Sequence, residues 1–139
     1  MPVSSRDRKS EILAKGKARI LDTGDFLTPE QLAMRFSHQS TFPPSVLEEW
    51  KNEHRIFSIE QEGQILYPAY AFSSNGELLV GLKDVLTVLG TTKEGWGVAL
   101  WFGSSNSYLG GALPRDELSS NPDSVLSAAF NEVQGTQHG

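Results

Sequence analysis

The stretch that most restricts the fold lies near the middle of the chain, where residues 55–68 read RIFSIEQEGQILYP. Residues that favour strands stand on both sides of Glu62-Gly63, a pair that favours a tight turn. Pro68 ends the second segment, because proline has no N–H to donate to a strand ladder. The sequence therefore predicts a β-hairpin at 55–68.

Two short helices are predicted ahead of this hairpin. Thr28 is a favourable N-cap, proline follows it at the first helical position, and Gln31 can reach back to the cap. A helix is therefore expected over residues 29–36. The proline pair at 43–44 opens a second helix, whose apolar residues recur at helical spacing and which is expected to end near Asn52.

Two short helices followed by a hairpin form the layout of a winged helix-turn-helix module, which the sequence assigns to residues 26–72. Several segments resemble the helices and the wing of MerR-like and excisionase-like DNA-binding modules. These segments are LTPEQLA at 27–33, LEEW at 47–50, RIF at 55–57 and YPAYAF at 67–72. The resemblance implies DNA binding, with the second helix as the element that enters a groove.

The residues expected to contact DNA are polar and lie in or beside the second helix. Such groups can meet base edges or phosphates, and they are Gln39, Ser40, Lys51, Asn52, His54 and Arg55. The same region carries Glu48, Glu49 and Glu53, whose carboxylates oppose the phosphate contacts that supply most non-specific affinity. The alternative of a fold retained for packing or dimerisation, without DNA binding, therefore stays open.

The charge of the chain is unevenly distributed. Residues 1–20 carry six of the 12 Lys and Arg residues, whereas most of the 17 Asp and Glu residues follow them. Apolar Ile12, Leu13, Ile20 and Leu21 alternate with these charges, which predicts an amphipathic helix over 6–21 weakened by Gly16. Such a basic arm can contact a polyanion such as DNA. It can equally pack on the acidic body of its own chain or of a second subunit.

Three more helices are predicted in the C-terminal part. The first spans 82–89 and closes at Gly90, and the second opens at a capping box that begins with Thr91 and runs to Phe102. The third begins after Asn121 and ends before Gly135. The expected fold is thus mainly α with one β-hairpin. Its parts are a basic arm (1–25), the winged module (26–72), a helical domain (77–135) and a flexible tail (136–139).

Motifs for catalysis or cofactor binding are missing from the sequence. The chain has no Cys, and no two of its histidines, His38, His54 and His138, are spaced to share a metal on one helical face. Neither a nucleophile elbow nor phosphate-loop spacing occurs. We therefore expect a cytoplasmic protein that is not an enzyme, with no metal, no cofactor and no membrane contact. A small enzyme of unknown chemistry is the weakest alternative.

The stretch WFGSSNSYLGGALPRDEL, residues 101–118, carries the clearest sign of a protein partner. The region 81–135 resembles the toxin-binding domain of the Xre/MbcA/ParS antitoxin family. The matching residues are Leu89-Gly90, Trp96, Trp101-Phe102, Asn106, Leu109-Gly110-Gly111, Pro114, Leu118 and the helix that ends at Gly135. The resemblance implies the antitoxin of a bacterial type II toxin-antitoxin system, which neutralises a RES-type, NAD-degrading toxin by binding it and regulates its own transcription through the N-terminal part.

The residues expected to bind the toxin lie in this loop and at the end of the last helix. Adjacent glycines can adopt positive φ, which allows a partner backbone to approach closely. The expected contacts are Ser105, Asn106, Tyr108, Leu109, Gly110, Gly111, Pro114, Arg115, Gln134 and Gly135. Trp101 and Phe102 are expected in the core. The resemblance also implies that the protein assembles at least as a homodimer. The alternative is a stand-alone winged-helix transcriptional regulator whose C-terminal helices only dimerise.

Overall fold

The structure, a computed structural model, describes residues 5–36 and 42–138. Helices α1 to α7 span Ser5–Asp22, Pro29–Arg35, Pro44–Asn52, Leu82–Leu89, Trp96–Phe102, Pro114–Glu117 and Pro122–His138. Strands β1 to β3 span Phe26–Leu27, Ile59–Gln61 and Gln64–Pro68, and short 3-10 turns cover Ala69–Ala71 and Ser107–Leu109. The predicted fold class, mainly α with a β-hairpin, is confirmed.

Local signals in the N-terminal half act as predicted. At the start of α2, the backbone N–H of Gln31 donates to Thr28 Oγ1 at 3.2 Å, and the N–H of Thr28 donates to Gln31 Oε1 at 2.9 Å. This reciprocal capping box satisfies two donors that the first helical turn would otherwise leave without partners. Helix α3 begins at the predicted proline pair and ends at Asn52, as expected.

The hairpin forms with Glu62 and Gly63 at its turn, where φ is 51° and 78°. Two consecutive positive φ values match the right-handed twist of the flanking strands. The first strand is shorter than predicted, because it begins at Ile59, and the preceding Ile56 and Phe57 are buried in the core outside the sheet.

A third strand, β1, extends the sheet in the order β1-β3-β2. Phe26 pairs with Pro68 and Leu27 pairs with Tyr67, both antiparallel. The sequence did not predict this strand, because two residues are too few for the alternation that marks a half-buried strand. The predicted succession of two helices and a hairpin is nevertheless preserved, with β1 closing the sheet beside the α2 start.

One hydrophobic core runs through both predicted modules. Phe102 of α5 stacks on Phe57, with ring centroids 5.8 Å apart, and contacts Tyr70 at 5.7 Å. Trp96 Nε1 donates to the backbone oxygen of Glu60 at 3.1 Å. The winged segment and the C-terminal helices therefore pack as a single body. Trp101 and Phe102 are buried, which confirms their predicted place in the core.

Two predicted helix ends are wrong. Helix α5 begins at Trp96, because Gly95 takes a non-helical conformation (φ 48°, ψ −117°) and the preceding residues close α4 instead. The Thr91 hydroxyl donates to Val88 O at 2.8 Å and caps no new helix. Helix α7 continues past Gly135 to His138, so residues 136–138 of the predicted tail are helical. An exposed glycine costs a helix only about 1 kcal/mol and did not end this one.

The basic N-terminal helix, α1, forms as predicted but is covered along only part of its length. Ile20 is buried, and a Cβ added to Gly16 would lie 3.0 Å from Leu100 Cδ2 in α5, which shows how closely the two helices approach. Towards the N-terminus, by contrast, the side chain of Ile12 is 71% exposed and that of Leu13 is 45% exposed. The predicted apolar stripe is therefore only half buried.

Candidate functional site

The loop that links α5 to α6, residues 104–113, is organised around Asn106. Its Oδ1 accepts the N–H of Tyr108 at 2.9 Å, and its carbonyl oxygen accepts the N–H of Leu109 at 3.0 Å and that of Gly111 at 2.8 Å. The N–H of Asn106 donates to Ala112 O at 3.0 Å, so the loop closes on itself. A loop held by four such bonds is ordered before any partner arrives.

Two adjacent glycines in this loop have left-handed backbone conformations. The φ angle is 67° at Gly110 and 93° at Gly111, which confirms the positive φ predicted for this pair. A Cβ added at either position would meet nothing within 4 Å. Glycine is therefore required here by the backbone conformation and not by crowding, and the open space in front of the pair allows close approach.

Tyr108 is the most prominent side chain of this surface. It is 54% exposed, whereas its neighbour Leu109 leans on the core. The 3-10 turn that carries both residues packs against α7. Ser105 and both glycines are exposed as well, and Gln134 and Gly135 are exposed on α7. Most of the predicted contact set is thus available to a partner.

Pro114 and Arg115 are the predicted contacts that the structure turns inward. Pro114 is buried at the first position of α6. The Arg115 guanidinium forms a salt bridge with the carboxylate of Asp25, and its Nε lies 3.7 Å from Asp116 Oδ1. Arg115 therefore links α6 to the segment that precedes β1, and Pro114 packs inside the fold.

Beside the loop, a cleft of about 370 Å³ separates α5 from α7. Lys93 Nζ lies 3.2 Å from Glu132 Oε2 at its edge, and Trp101 and Asn106 contribute to its walls. Among the described residues, the buried Nε1 of Trp101 has no hydrogen-bond partner. Lys93 and Glu132 could not be predicted as part of the site, because residues far apart in sequence show no local signal of their pairing.

In the winged segment, acidic neighbours hold two of the predicted DNA contacts. Lys51 Nζ lies 3.7 Å from Glu48 Oε2, and Arg55 Nη1 lies 3.6 Å from Glu53 Oε1. The Arg55 guanidinium also lies 5.4 Å from the ring centroid of Trp50, within cation–π range. These contacts reduce the positive charge that the carboxyl end of α3 presents to a phosphate.

The other predicted DNA contacts are less constrained. Asn52 and His54 are exposed, and His54 follows the end of α3 with a φ of 62°. His54 and Gly95 both line a cleft of about 200 Å³, so the C-terminal part borders this end of α3. Gln39 and Ser40 lie outside the residues that the structure describes.

Two tyrosines near these surfaces have shifted pKa values. Burial raises the pKa of Tyr70 well above its ordinary value, while the neighbouring Arg115 lowers it and Asp25 raises it. Burial also raises the pKa of Tyr67, with a further contribution from the Glu48 carboxylate. Both hydroxyls are therefore protonated at neutral pH, and neither residue supplies a base there.

Within residues 5–36 and 42–138, no group of three or more His, Asp or Glu side chains is arranged to hold a metal ion. In the same part of the chain, no helix combines the length and the apolar character needed to cross a membrane. No family model matches the chain, and neither the curated proteins nor the solved structures include a significant match.

Proposed function

We propose that the protein is an antitoxin that neutralises its toxin by binding it through the 104–113 loop and the adjoining face of α7. The observation that carries the proposal is the closed loop around Asn106, which displays Tyr108 beside two open, left-handed glycines. The order of motifs in the C-terminal part supports a RES-type toxin that degrades NAD as the partner.

The physical properties of this loop suit a protein partner. Because its backbone is already ordered by its own hydrogen bonds, binding costs little conformational entropy. An exposed tyrosine offers a large rigid contact with a polar tip, and such residues dominate binding energy at many interfaces. The glycine pair lets a partner backbone come close where a side chain would stand in the way.

The direct test is co-expression with a RES-type toxin, comparing the parent protein with Tyr108→Asp. We expect the substitution to abolish protection and to weaken the purified complex by about tenfold or more, since a buried charge would replace an aromatic contact. Met34→Asp is a matched control, because Met34 is exposed on α2 outside this surface. Full protection by Tyr108→Asp would remove the loop from the proposal.

Substitutions test the site better than truncation does. Removing residues 104–139 would delete Leu118 and Val125, which are buried in the common core. Loss of protection by such a fragment would report unfolding as much as loss of the surface. Thermal unfolding of each variant, measured alongside protection, separates the two effects.

DNA binding by the winged segment is a second candidate, favoured by the sheet order β1-β3-β2 beside two helices and by the exposure of Asn52 and His54. A mobility-shift titration with the operon's upstream DNA at several salt concentrations tests it. Asn52→Ala is expected to weaken a sequence-specific shift. If low salt produces no shift, either for the protein alone or for its complex with the toxin, this candidate is wrong.

A further inference from the structure

The apolar stripe of α1 extends beyond the helix that covers it. Gly16 and Ile20 pack against α5 and the residue that follows it, Gly103. Any side chain at Gly103 would collide with Ile20. Helix α5 has only 7 residues and α1 has 18, so the stripe continues uncovered to Leu13 and Ile12. Two large aliphatic side chains therefore stay in water next to an established helix contact, which marks an interaction surface more than an isolated exposed residue does.

Ile12 and Leu13 form the floor of a groove of about 810 Å³ between α1 and α5. Leu100 of α5 completes the apolar floor, and Lys9, Lys15 and Arg19 stand around it. Arg19 donates to Ser104 Oγ at 3.3 Å, while no ion pair holds Lys9 or Lys15 within the part of the chain that the structure describes. The groove thus combines an apolar floor with an unneutralised positive rim.

The charge and the floor together select the occupant. A nucleic-acid backbone would neutralise the rim but would leave Ile12 and Leu13 against charged phosphates. The α1 helix of a second copy would match the floor but would bring six Lys and Arg against six others, with only three Asp and Glu in each helix to offset them. An occupant with an apolar stripe and carboxylates on its flanks satisfies both parts.

We propose that the α1–α5 groove docks an acidic amphipathic helix of a partner protein. From Lys9 to Arg19 the groove is about 15 Å long, which corresponds to roughly three turns of the partner helix. Aliphatic residues of that helix cover Ile12, Leu13 and Leu100, and its Glu or Asp residues meet Lys9 and Lys15. This surface borders the 104–113 loop only at Ser104, and it does not depend on the antitoxin proposal.

The probe is a labelled helical peptide with leucines along one face and glutamates on both flanks, titrated into the full-length protein by fluorescence anisotropy. A peptide with lysine in place of every glutamate is its matched control. We expect the acidic peptide to bind and the lysine peptide not to bind. The affinity for the acidic peptide should fall as the salt concentration rises, because exposed charges are screened. The double variant Lys9→Glu, Lys15→Glu is expected to lose about tenfold or more in affinity and to bind the lysine peptide instead.

Two further variants complete the test. Lys83→Glu reverses an exposed lysine on α4 away from the groove and is expected to leave peptide affinity unchanged. Ile12→Ser is expected to weaken binding without changing the melting temperature, because Ile12 is already exposed.

Three results would overturn the proposal. The first is that both peptides bind with equal affinity, or that neither peptide binds. The second is a DNA duplex that binds at the groove, as judged by its sensitivity to Lys9→Glu and Lys15→Glu, when the acidic peptide does not. The third is a dimer in sedimentation experiments that Ile12→Ser dissociates, since a second copy would then be the occupant.

Discussion

Phe57 and Phe102 stack face to face, with ring planes within 5° of parallel and centroids 5.8 Å apart. Phe57 leads into the hairpin, and Phe102 is the last residue of α5. Both rings are buried, and the contact joins the winged segment to the C-terminal helices. The two parts of the chain are therefore expected to unfold together.

Replacing Phe102 by alanine is expected to lower the free energy of unfolding by about 3–5 kcal/mol, because it removes a fully buried ring and leaves a cavity. Urea titrations followed by tryptophan fluorescence and by circular dichroism measure this change. Phe130→Ala, which truncates a ring that is 51% exposed, is the control and should cost far less. Two separate transitions in the parent protein would contradict a common core.

Alanine at Gly110 or Gly111 is expected to destabilise the protein by about 1–2 kcal/mol each, since both residues have positive φ. Gly135→Ala should have the opposite effect, raising stability by roughly 0.5–1 kcal/mol, because Gly135 lies in α7 with free space around it. Melting temperatures of the three variants give the comparison. A neutral Gly110→Ala variant would mean that the loop does not hold the left-handed conformation in solution.

The salt bridge between Arg115 and Asp25 is expected to stabilise the fold across α6 and β1. Arg115→Ala should lower the free energy of unfolding by about 1–3 kcal/mol, because it leaves a partly buried carboxylate without its cation. A double-mutant cycle with Asp25→Ala measures the coupling energy between Arg115 and Asp25, which is expected to be about 0.5 kcal/mol or more. Additive effects of the two substitutions would argue that the pair does not form.

Removing the hydroxyl of Tyr70 is expected to stabilise the protein by about 1 kcal/mol, since that hydroxyl is buried and no described residue bonds to it. Chemical denaturation of Tyr70→Phe at neutral pH tests this expectation. A marked loss of stability would show that the hydroxyl has a partner after all.

The raised pKa of Tyr70 also predicts an alkaline loss of stability. Above its ordinary pKa of 10.0, the unfolded chain releases the phenolic proton while the folded protein still holds it. The unfolded state then binds fewer protons, so the free energy of unfolding falls as pH rises past that value. Denaturation experiments from about pH 8 to about pH 11 measure this fall in the free energy of unfolding. The fall should be shallower in Tyr70→Phe than in the parent protein, and Tyr67 should account for part of the fall that is left.

Local features of this protein could be predicted from its sequence because their bonds join residues close together in the chain. The capping box of Thr28 and Gln31, the turn at Glu62 and Gly63, and the positive φ of the Gly110-Gly111 pair each depend on a few neighbouring backbone groups. Helical periodicity also placed Phe102 in the core. The fold class follows from such signals, since they fix which segments are helical and which form the hairpin.

Contacts between distant segments could not be predicted, since no local pattern encodes which residues will meet. Strand β1 forms because Phe26 pairs with Pro68, about 40 positions later in the chain. Arg115 points inward because it forms a salt bridge with Asp25. The exposed end of the α1 stripe likewise results from the short length of the helix packed against it. The sequence by itself determined most of the helices, the hairpin and the Thr28 cap, because these depend on neighbouring residues, whereas tertiary packing decided which of the predicted contact residues are exposed and which are used within the fold.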